Sequence, residues 1–314
     1  MQLWALIVDG FREALDRKIF WVLVGITLLI CVALLSIGFE GDHVSFMFGL
    51  WKPQTDHYNP AFELGRSHIT GIVVYLAMDF FLGWVGVILM IIATASVFPT
   101  MMERGTIDVL LAKPMSRSKL FLYKYISSMV FVLLQATVFV VLTFLIMGLR
   151  WEVWVPGYLL CIPLLVLLFS YVYCVSVYVA VKTRSVVAAI LLSLGAWVFF
   201  AMPKTAVDVF ESFPDLQEHK TIYRAVRVVS WIPPKTADIP YLAARWSRAG
   251  TSLDIFPTSM MEANDSPAQM DMERAREMEA QQLKMNPAYS IGSSLLFEAV
   301  VLLLAMWSFA RSDY

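Results

Sequence analysis

Two carboxylates lie inside long apolar runs of the sequence, and each is a candidate for chemistry within a membrane. Glu298 lies near the middle of the run 289–310, and Asp79 lies within the run 70–98. A carboxyl in a bilayer is costly unless it is protonated, paired or facing water, so both are predicted to line a translocation path. Alternatively, Glu298 is protonated and bonds a neighbouring helix, and Asp79 lies at the outer interface, since 80–98 could span alone.

The same two carboxylates could instead serve an intramembrane enzyme as a pair, provided that their side chains meet. The sequence offers no other catalytic arrangement, because it contains neither an H-E-x-x-H nor a G-x-S-x-G motif. The spacings between His43, His57 and His68 match no common metal site. The methionines of 260–285 could hold Cu(I), but no Cys or His accompanies them. We therefore expect no catalytic residue and no metal bound by this chain.

The composition indicates what must position these carboxylates. Of the 314 residues, 59% are hydrophobic and 16% are charged, and the mean hydropathy is +0.69. Soluble domains carry roughly 25% charged residues, so this balance is typical of a polytopic membrane protein embedded in a lipid bilayer. The formal net charge of −1 predicts no nucleic-acid partner. The three cysteines all lie in apolar runs and are interpreted as small buried hydrophobes.

Six apolar runs are long enough to cross a bilayer, which takes about 20 residues. They are continuous rather than alternating, so they predict helices and not strands of a barrel. The predicted spans are 18–38, 70–98, 121–148, 154–181, 185–202 and 289–310. Four tryptophans are interpreted as interfacial anchors: Trp84, Trp151, Trp154 and Trp231.

The short connecting segments predict the orientation. With a cytoplasmic N-terminus, the inner segments hold ten basic residues and the short outer loops hold three. By the positive-inside rule both termini are cytoplasmic, in a multi-pass protein of the cytoplasmic (inner) membrane. The long segment 203–288 is then external. Its stretch 267–285 is rich in helix formers, so we expect a small subdomain of short helices.

The N-terminal segment 1–17 is predicted to be an amphipathic helix. Its apolar residues recur at helical spacing, with charged residues on the opposite side, which is typical of a helix lying in the membrane interface. The alternative is a long, tilted first span. The fold class expected is all-α: six transmembrane helices after an N-terminal elbow helix, with a helical external loop between spans 5 and 6.

The loop 99–119 between spans 2 and 3 carries a short apolar stripe. Thr106 can begin a helix of barely two turns, in which Ile107, Leu110 and Leu111 share one face. So short a helix is marginal in water and needs support from outside itself. The stripe either docks into a groove on a cytoplasmic protein or folds back on lipid or on the chain's own helices.

This loop resembles the loop after the second span of ABC-2 type ABC transporter permeases, whose pattern is roughly E-x-G-T-x-x-x-L-L-x-x-P-x-S-R. The matching residues are Glu103, Arg104, Gly105, Thr106, Ile107 to Leu111, Lys113, Pro114, Ser116, Arg117 and Leu120. The opening ALIVDGFREALDRKIFWVL is similar to the elbow and first span of the same permeases. The resemblance covers about the first 200 residues.

The resemblance implies six spans per subunit and a second permease subunit, either another copy or a different chain. It also implies two copies of a cytoplasmic ABC ATPase subunit, which grip the loop as a coupling helix. In that arrangement Glu103 and Arg104 orient the loop by ion pairs, Gly105 and Thr106 belong to the motif, and Ile107, Leu110 and Leu111 supply the apolar contact.

The sequence agrees that ATP and Mg are used by a partner subunit and that this chain binds no cofactor. It has no G-x-x-x-x-G-K-[ST] motif, and none of its fifteen glycines is followed by lysine. The expected function is therefore the permease subunit of an ATP-driven exporter, which is not itself an enzyme. A membrane scaffold, or the intramembrane enzyme using Glu298 and Asp79, is the alternative.

The expected organisation has four parts. They are the elbow helix 1–17, spans 1 to 5 in 18–202 with the coupling loop 99–119, the external loop 203–288, and the last span with a short tail in 289–314.

Overall fold

A computed structural model of the chain describes residues 18–40, 43–45, 47–50, 84–103, 105–106, 116–212, 233–248 and 286–312. Several predicted features lie outside these residues: the elbow helix 1–17, Asp79, Arg104, Ile107, Leu110, Leu111, Trp231 and the helix 267–285.

Within the described residues, five helical segments are long and apolar enough to cross a membrane. They are Trp84–Met101, Arg117–Trp151, Pro156–Thr183, Val186–Val207 and Pro287–Arg311. The apolar helix Phe20–Leu35 is shorter. The architecture is that of a polytopic helical membrane protein, and the count of six spans stays a prediction.

The elements follow in chain order. The helices are α1 (Lys18–Leu35), α2 (Val87–Thr94), α3 (Val97–Met101), α4 (Arg117–Trp151), α5 (Cys161–Thr183), α6 (Val186–Ser212), α7 (Asp238–Arg248) and α8 (Pro287–Arg311). Short 3-10 helices cover Met47–Gly49 and Pro156–Leu160. Strands β1 (Gly38–Glu40) and β2 (His43–Ser45) form an antiparallel hairpin in which Gly38 pairs with Ser45.

Local chemistry sets several helix ends. Ser116 is extended, and its side chain accepts a hydrogen bond from the backbone N–H of Lys119 at 3.4 Å, which caps the start of α4. Glu152 ends α4 in the left-handed region, with φ at 55°. At the start of α8, the Asn286 side chain accepts from the N–H of Ala288.

Helix α6 runs ten residues beyond the predicted end of span 5 at 202, because it continues through Pro203 to Ser212. A helix can pass a proline in or near a membrane when the freed carbonyl finds other partners. The first part of the predicted external loop is therefore helical and continuous with the span. Helix α7 is a second helix within 203–288.

Helix α5 lies at the centre of the bundle and packs against α4, α6, α8 and the segment formed by α2 and α3. Its side chains Phe169, Tyr171 and Tyr173 are among the largest that are fully buried. The interpretation of the cysteines is confirmed, because Cys31, Cys161 and Cys174 are buried and free.

Large apolar side chains cover the outward faces of α1, α6 and α8, as expected where lipid replaces water. Leu29, Leu191, Phe199, Leu296 and Trp307 are more than half exposed. An outward surface of this kind has no hydrophobic cost in a bilayer.

Candidate functional site

Glu298 is held between three helices of the bundle. Its carboxyl on α8 accepts hydrogen bonds from the Tyr125 hydroxyl of α4 at 2.7 Å and from the Ser170 hydroxyl of α5 at 2.9 Å. The residue is 8% exposed. Both carboxyl oxygens thus have a partner on a neighbouring helix.

Stacked aromatic rings surround this carboxyl. The rings of Tyr125 and Tyr173 stack with centroids 5.6 Å apart, and Phe169 stacks on the other side of Tyr173 at 4.9 Å. The Tyr173 hydroxyl donates to the Ser128 hydroxyl at 2.9 Å. The Glu298 cluster, defined as Tyr125, Ser128, Ser170, Tyr173 and Glu298, is therefore a polar group of side chains packed inside an apolar core.

The chemistry of the Glu298 cluster is that of a hydrogen-bonded contact between helices. The Glu298 carboxyl accepts from the hydroxyls of Tyr125 and Ser170, and the acid–base pair that an intramembrane enzyme would need requires Asp79, which lies outside the described residues. Among the described residues, no group of three or more His, Cys, Asp or Glu side chains is placed to hold a metal ion.

A second polar bond joins α1 to α4. The Gln135 amide donates to the Thr27 hydroxyl at 3.2 Å, and both side chains are buried. Between helices in lipid such a bond is worth about 0.6–2 kcal/mol. The two residues form the polar part of a small pocket that is otherwise lined by apolar side chains, among them Leu23, Ile30, Met90 and Phe139.

The chain leaves the second span through a tight turn. We call this side of the bundle, where α3 ends and α4 begins, the loop end. Gly105 has φ at +88°, and the N–H of Thr106 donates to the Glu103 carbonyl at 3.2 Å. A residue with a Cβ is strained in this region, which explains a glycine in the motif. Glu103, Gly105 and Thr106 are exposed.

At the loop end, Arg117 binds the end of α8. Its guanidinium donates to the carbonyls of Ala310 at 3.2 Å and Ser312 at 2.7 Å, at the C-terminal end of α8. The ring of Phe121, one turn along α4, packs against Phe309 of α8 at 5.9 Å between centroids. Tyr125 follows one turn later with its bond to Glu298, so Arg117, Phe121 and Tyr125 attach one face of α4 to α8.

Sequence reasoning counted Arg117 only as a basic residue and as part of the motif. The sequence does contain a signal that Arg117 has a partner outside α4. A cation in the first turn of a helix is unfavourable beside that helix's own dipole. Such a cation is stabilised electrostatically by the C-terminal carbonyls of another helix. Arg117 occupies this place on α8.

At the opposite end of the bundle, which we call the far end, the segment 233–248 packs against the start of α8. The buried carboxylate of Asp238 accepts a hydrogen bond from the Ser290 hydroxyl, and the backbone N–H of Lys235 donates to the Ser294 hydroxyl at 2.9 Å. The Lys235 ammonium lies 4.1 Å from the centre of the Tyr289 ring. Burial lowers the pKa of Lys235, which the nearby Asp238 opposes and Lys204 reinforces.

Ser290, Ser294 and Glu298 therefore recur every four residues along one face of α8, and all three are buried. Ala305 and Phe309 continue the buried face towards the loop end. This face makes polar contacts from the far end to the middle of the helix.

One tryptophan prediction is wrong. Trp151 is fully buried at the end of α4, and its indole N–H donates to the Ile37 carbonyl at 3.1 Å, so it packs inside the bundle and is not an interfacial anchor. Trp151 is buried because it lies next to the end of α1. The Ile37 carbonyl follows the last turn of α1 and accepts the indole N–H. Trp84 and Trp154 are 44% and 50% exposed.

Comparison with known proteins gives one family. The model of a family described as ABC-2 family transporter protein matches residues 4–314 of the chain. No curated protein matches it. The match includes the region 203–288, which the resemblance seen in the sequence does not cover.

Proposed function

Because the chain belongs to the ABC-2 transporter family, we propose that it is the permease subunit of an ATP-driven exporter that works through the loop 103–117. Membership makes it a multi-pass membrane protein of an ABC transporter. The proposal adds the direction of transport, a dimer of permease subunits, and coupling to two copies of a cytoplasmic ATPase. The ATPase would use ATP and Mg, since this chain has no P-loop.

The observation that carries the proposal is the geometry on either side of the loop. Span 2 ends in a turn that needs Gly105 at φ +88°, with Glu103 and Thr106 exposed, and α4 begins at a capped Ser116. The described residues on either side of 107–115 therefore lie at the same end of the bundle. This is the placement that a short docking helix requires to be stable.

The proposed contact divides by residue type. Ile107, Leu110 and Leu111 enter an apolar groove on the ATPase, and Glu103 and Arg104 orient the loop through ion pairs. Burying one such apolar side chain stabilises the contact by roughly 1.5–3 kcal/mol.

ATP binding would draw the two ATPase subunits together, and each would carry one loop with it. The bundle responds as a two-state element, in which the spans tilt and a path between two permease subunits opens outward. In this mechanism the chain lies in the inner membrane, and its loop end and both termini face the cytoplasm. The ten-to-three distribution of basic residues predicts the same orientation.

The test is co-purification of the ATPase in detergent. We expect a protein with a Walker A motif to purify with the wild-type chain, and its amount to fall about 10- to 150-fold in Leu110→Asp and Leu111→Asp, since each 1.4 kcal/mol is a factor of ten. Leu50→Asp is the matched control, because Leu50 is 85% exposed at the far end. If the amount of co-purified ATPase were undiminished in both loop variants, the coupling role would be contradicted.

The dependence on ATP separates the permease from the two alternatives. A scaffold would bind its partner without any response to ATP, and an enzyme would act in the purified chain without ATP. Glu298 and Asp79 as residues of the translocation path stay a proposal, in which the Glu298 cluster would open during transport.

A further inference from the structure

Helix α8 is attached to other parts of the chain at both ends and in the middle. At the loop end Arg117 holds the carbonyls of Ala310 and Ser312. In the middle Glu298 binds α4 and α5. At the far end Ser290 and Ser294 bind the segment 233–248. Ser290, Ser294 and Glu298 share one face of α8, and Arg117 binds the carbonyls at its C-terminal end.

The helix between these attachments is a stiff element. It has 25 residues and its only proline is Pro287 at the first position, so no internal proline interrupts its backbone hydrogen bonds. At 1.5 Å per residue it is about 37 Å long, which is enough to cross a bilayer from one side to the other. A displacement at one end is therefore carried to the other end.

The loop-end attachment follows directly after the coupling loop. Arg117 is the first residue of α4 and the last residue of the motif, so any movement of the loop reaches it through one peptide bond from the cap Ser116. Its two hydrogen bonds to backbone carbonyls do not depend on the side chains of α8. Phe121 and Phe309 pack in the next turn and resist sliding of the two helices.

The far-end attachment links α8 to chain outside the spans. Asp238 is 4% exposed and begins α7, and the backbone of Lys235 is bonded to Ser294. A buried carboxylate is costly to leave unpaired, so Asp238 follows Ser290 when α8 moves. Helix α7 also packs against the 3-10 helix Pro156–Leu160 and α5, so its position depends on both α5 and α8.

We propose that α8 transmits the ATP-driven movement of the loop 103–117 to the segment 233–248 at the far end, with Arg117 as the positioning residue at the driven end. This rests on the proposed function. It gives the long region 203–288 a mechanical link to the ATPase.

The test measures deuterium uptake of backbone amides by mass spectrometry in the complete complex with its ATPase, nucleotide-free and trapped with ATP and vanadate. In the wild type we expect the uptake of peptides from 233–248 to differ between the two states. Arg117→Ala loses this difference and keeps bound ATPase, because the stripe of the loop is intact. Lys119→Ala is the control, since Lys119 is an exposed cation two residues further on, and it keeps the difference.

A double variant at the far end tests the other half of the link. In Ser290→Ala with Ser294→Ala, we expect peptides of 295–312 to keep their ATP-dependent difference in uptake and peptides of 233–248 to lose it. A merely structural role would change both regions together and in both nucleotide states. If Arg117→Ala does not assemble with the ATPase, the double variant alone tests the transmission proposal.

The outcomes separate the two proposals. If no Walker A protein purifies with the wild type, the proposed function fails. If the ATPase is bound and 233–248 takes up deuterium equally in both states, the transmission proposal is overturned and the permease assignment stands. The transmission proposal is also overturned if Arg117→Ala or the double variant shows the wild-type difference in 233–248.

Discussion

At the scale of single residues, Glu298 illustrates how a carboxyl is accommodated in the middle of an apolar helix. The hydroxyls of Tyr125 and Ser170 satisfy its two oxygens, and the stacked rings of Tyr125 and Tyr173 close the space around it. The hydrogen bonds join α8 to two helices that lie more than a hundred residues earlier in the chain. The residue therefore contributes to stability whatever further role it has in transport.

The substitution Tyr125→Phe tests this contribution. It removes the hydroxyl that Glu298 accepts from and keeps the ring, so we expect a loss of about 0.5–2 kcal/mol in the free energy of unfolding. The measurement is the midpoint of thermal unfolding of the purified chain in detergent. Tyr123→Phe on the same helix is the control, because Tyr123 lies two residues away, on a different side of α4. Equal midpoints for the two variants would show that the bond to Glu298 is not stabilising.

At the scale of elements, the apolar runs form helices close to where the sequence predicts them, and local chemistry explains the ends. Ser116 caps α4 by the geometry that its sequence position suggests. Helix α6 departs from the prediction because it does not end at 202 but continues through Pro203 to Ser212. A proline marks a helix end only when nothing else satisfies the carbonyl that it frees.

The turn after span 2 can be tested through its glycine. A Cβ at Gly105 meets no atom of the described residues within 4 Å, so we expect Gly105→Ala to act through the backbone, where φ of +88° is unfavourable for alanine by about 1–2 kcal/mol. We expect the affinity for the ATPase to fall about 5- to 30-fold, measured by titrating the ATPase against the purified chain.

Gly195→Ala is the matched control for this turn. Its Cβ also meets no described atom within 4 Å, but Gly195 lies inside α6, where alanine is favoured. ATPase affinity should be unchanged in this variant. A similar loss in both variants would contradict a specific need for the left-handed turn.

At the scale of the whole molecule, the contacts of α8 connect the two sides of the bundle. Arg117 binds it at the loop end, and Asp238 binds it at the far end. The match to the ABC-2 family extends over residues 4–314 and so includes the region between α6 and α8. That region thus belongs to the same family unit as the spans.

The orientation of the bundle is a prediction at this scale. Cysteines introduced as Glu103→Cys and Leu50→Cys lie at opposite ends and are exposed, whereas the three native cysteines are buried. In intact cells a membrane-impermeant maleimide should label Leu50→Cys and leave Glu103→Cys unlabelled, and opened cells should label both. The reverse pattern would contradict cytoplasmic termini.

The helical membrane architecture could be predicted from the sequence alone, because a chain in lipid must satisfy its backbone hydrogen bonds locally, and long apolar runs do so only as helices. A helix cap such as Ser116 and a turn glycine such as Gly105 can also be predicted from sequence, since both depend on neighbours a few residues away. The partners of Glu298, the bonds from Arg117 to the end of α8, and the burial of Trp151 were not. They join residues more than a hundred positions apart, and only the packing of the helices decides which faces meet.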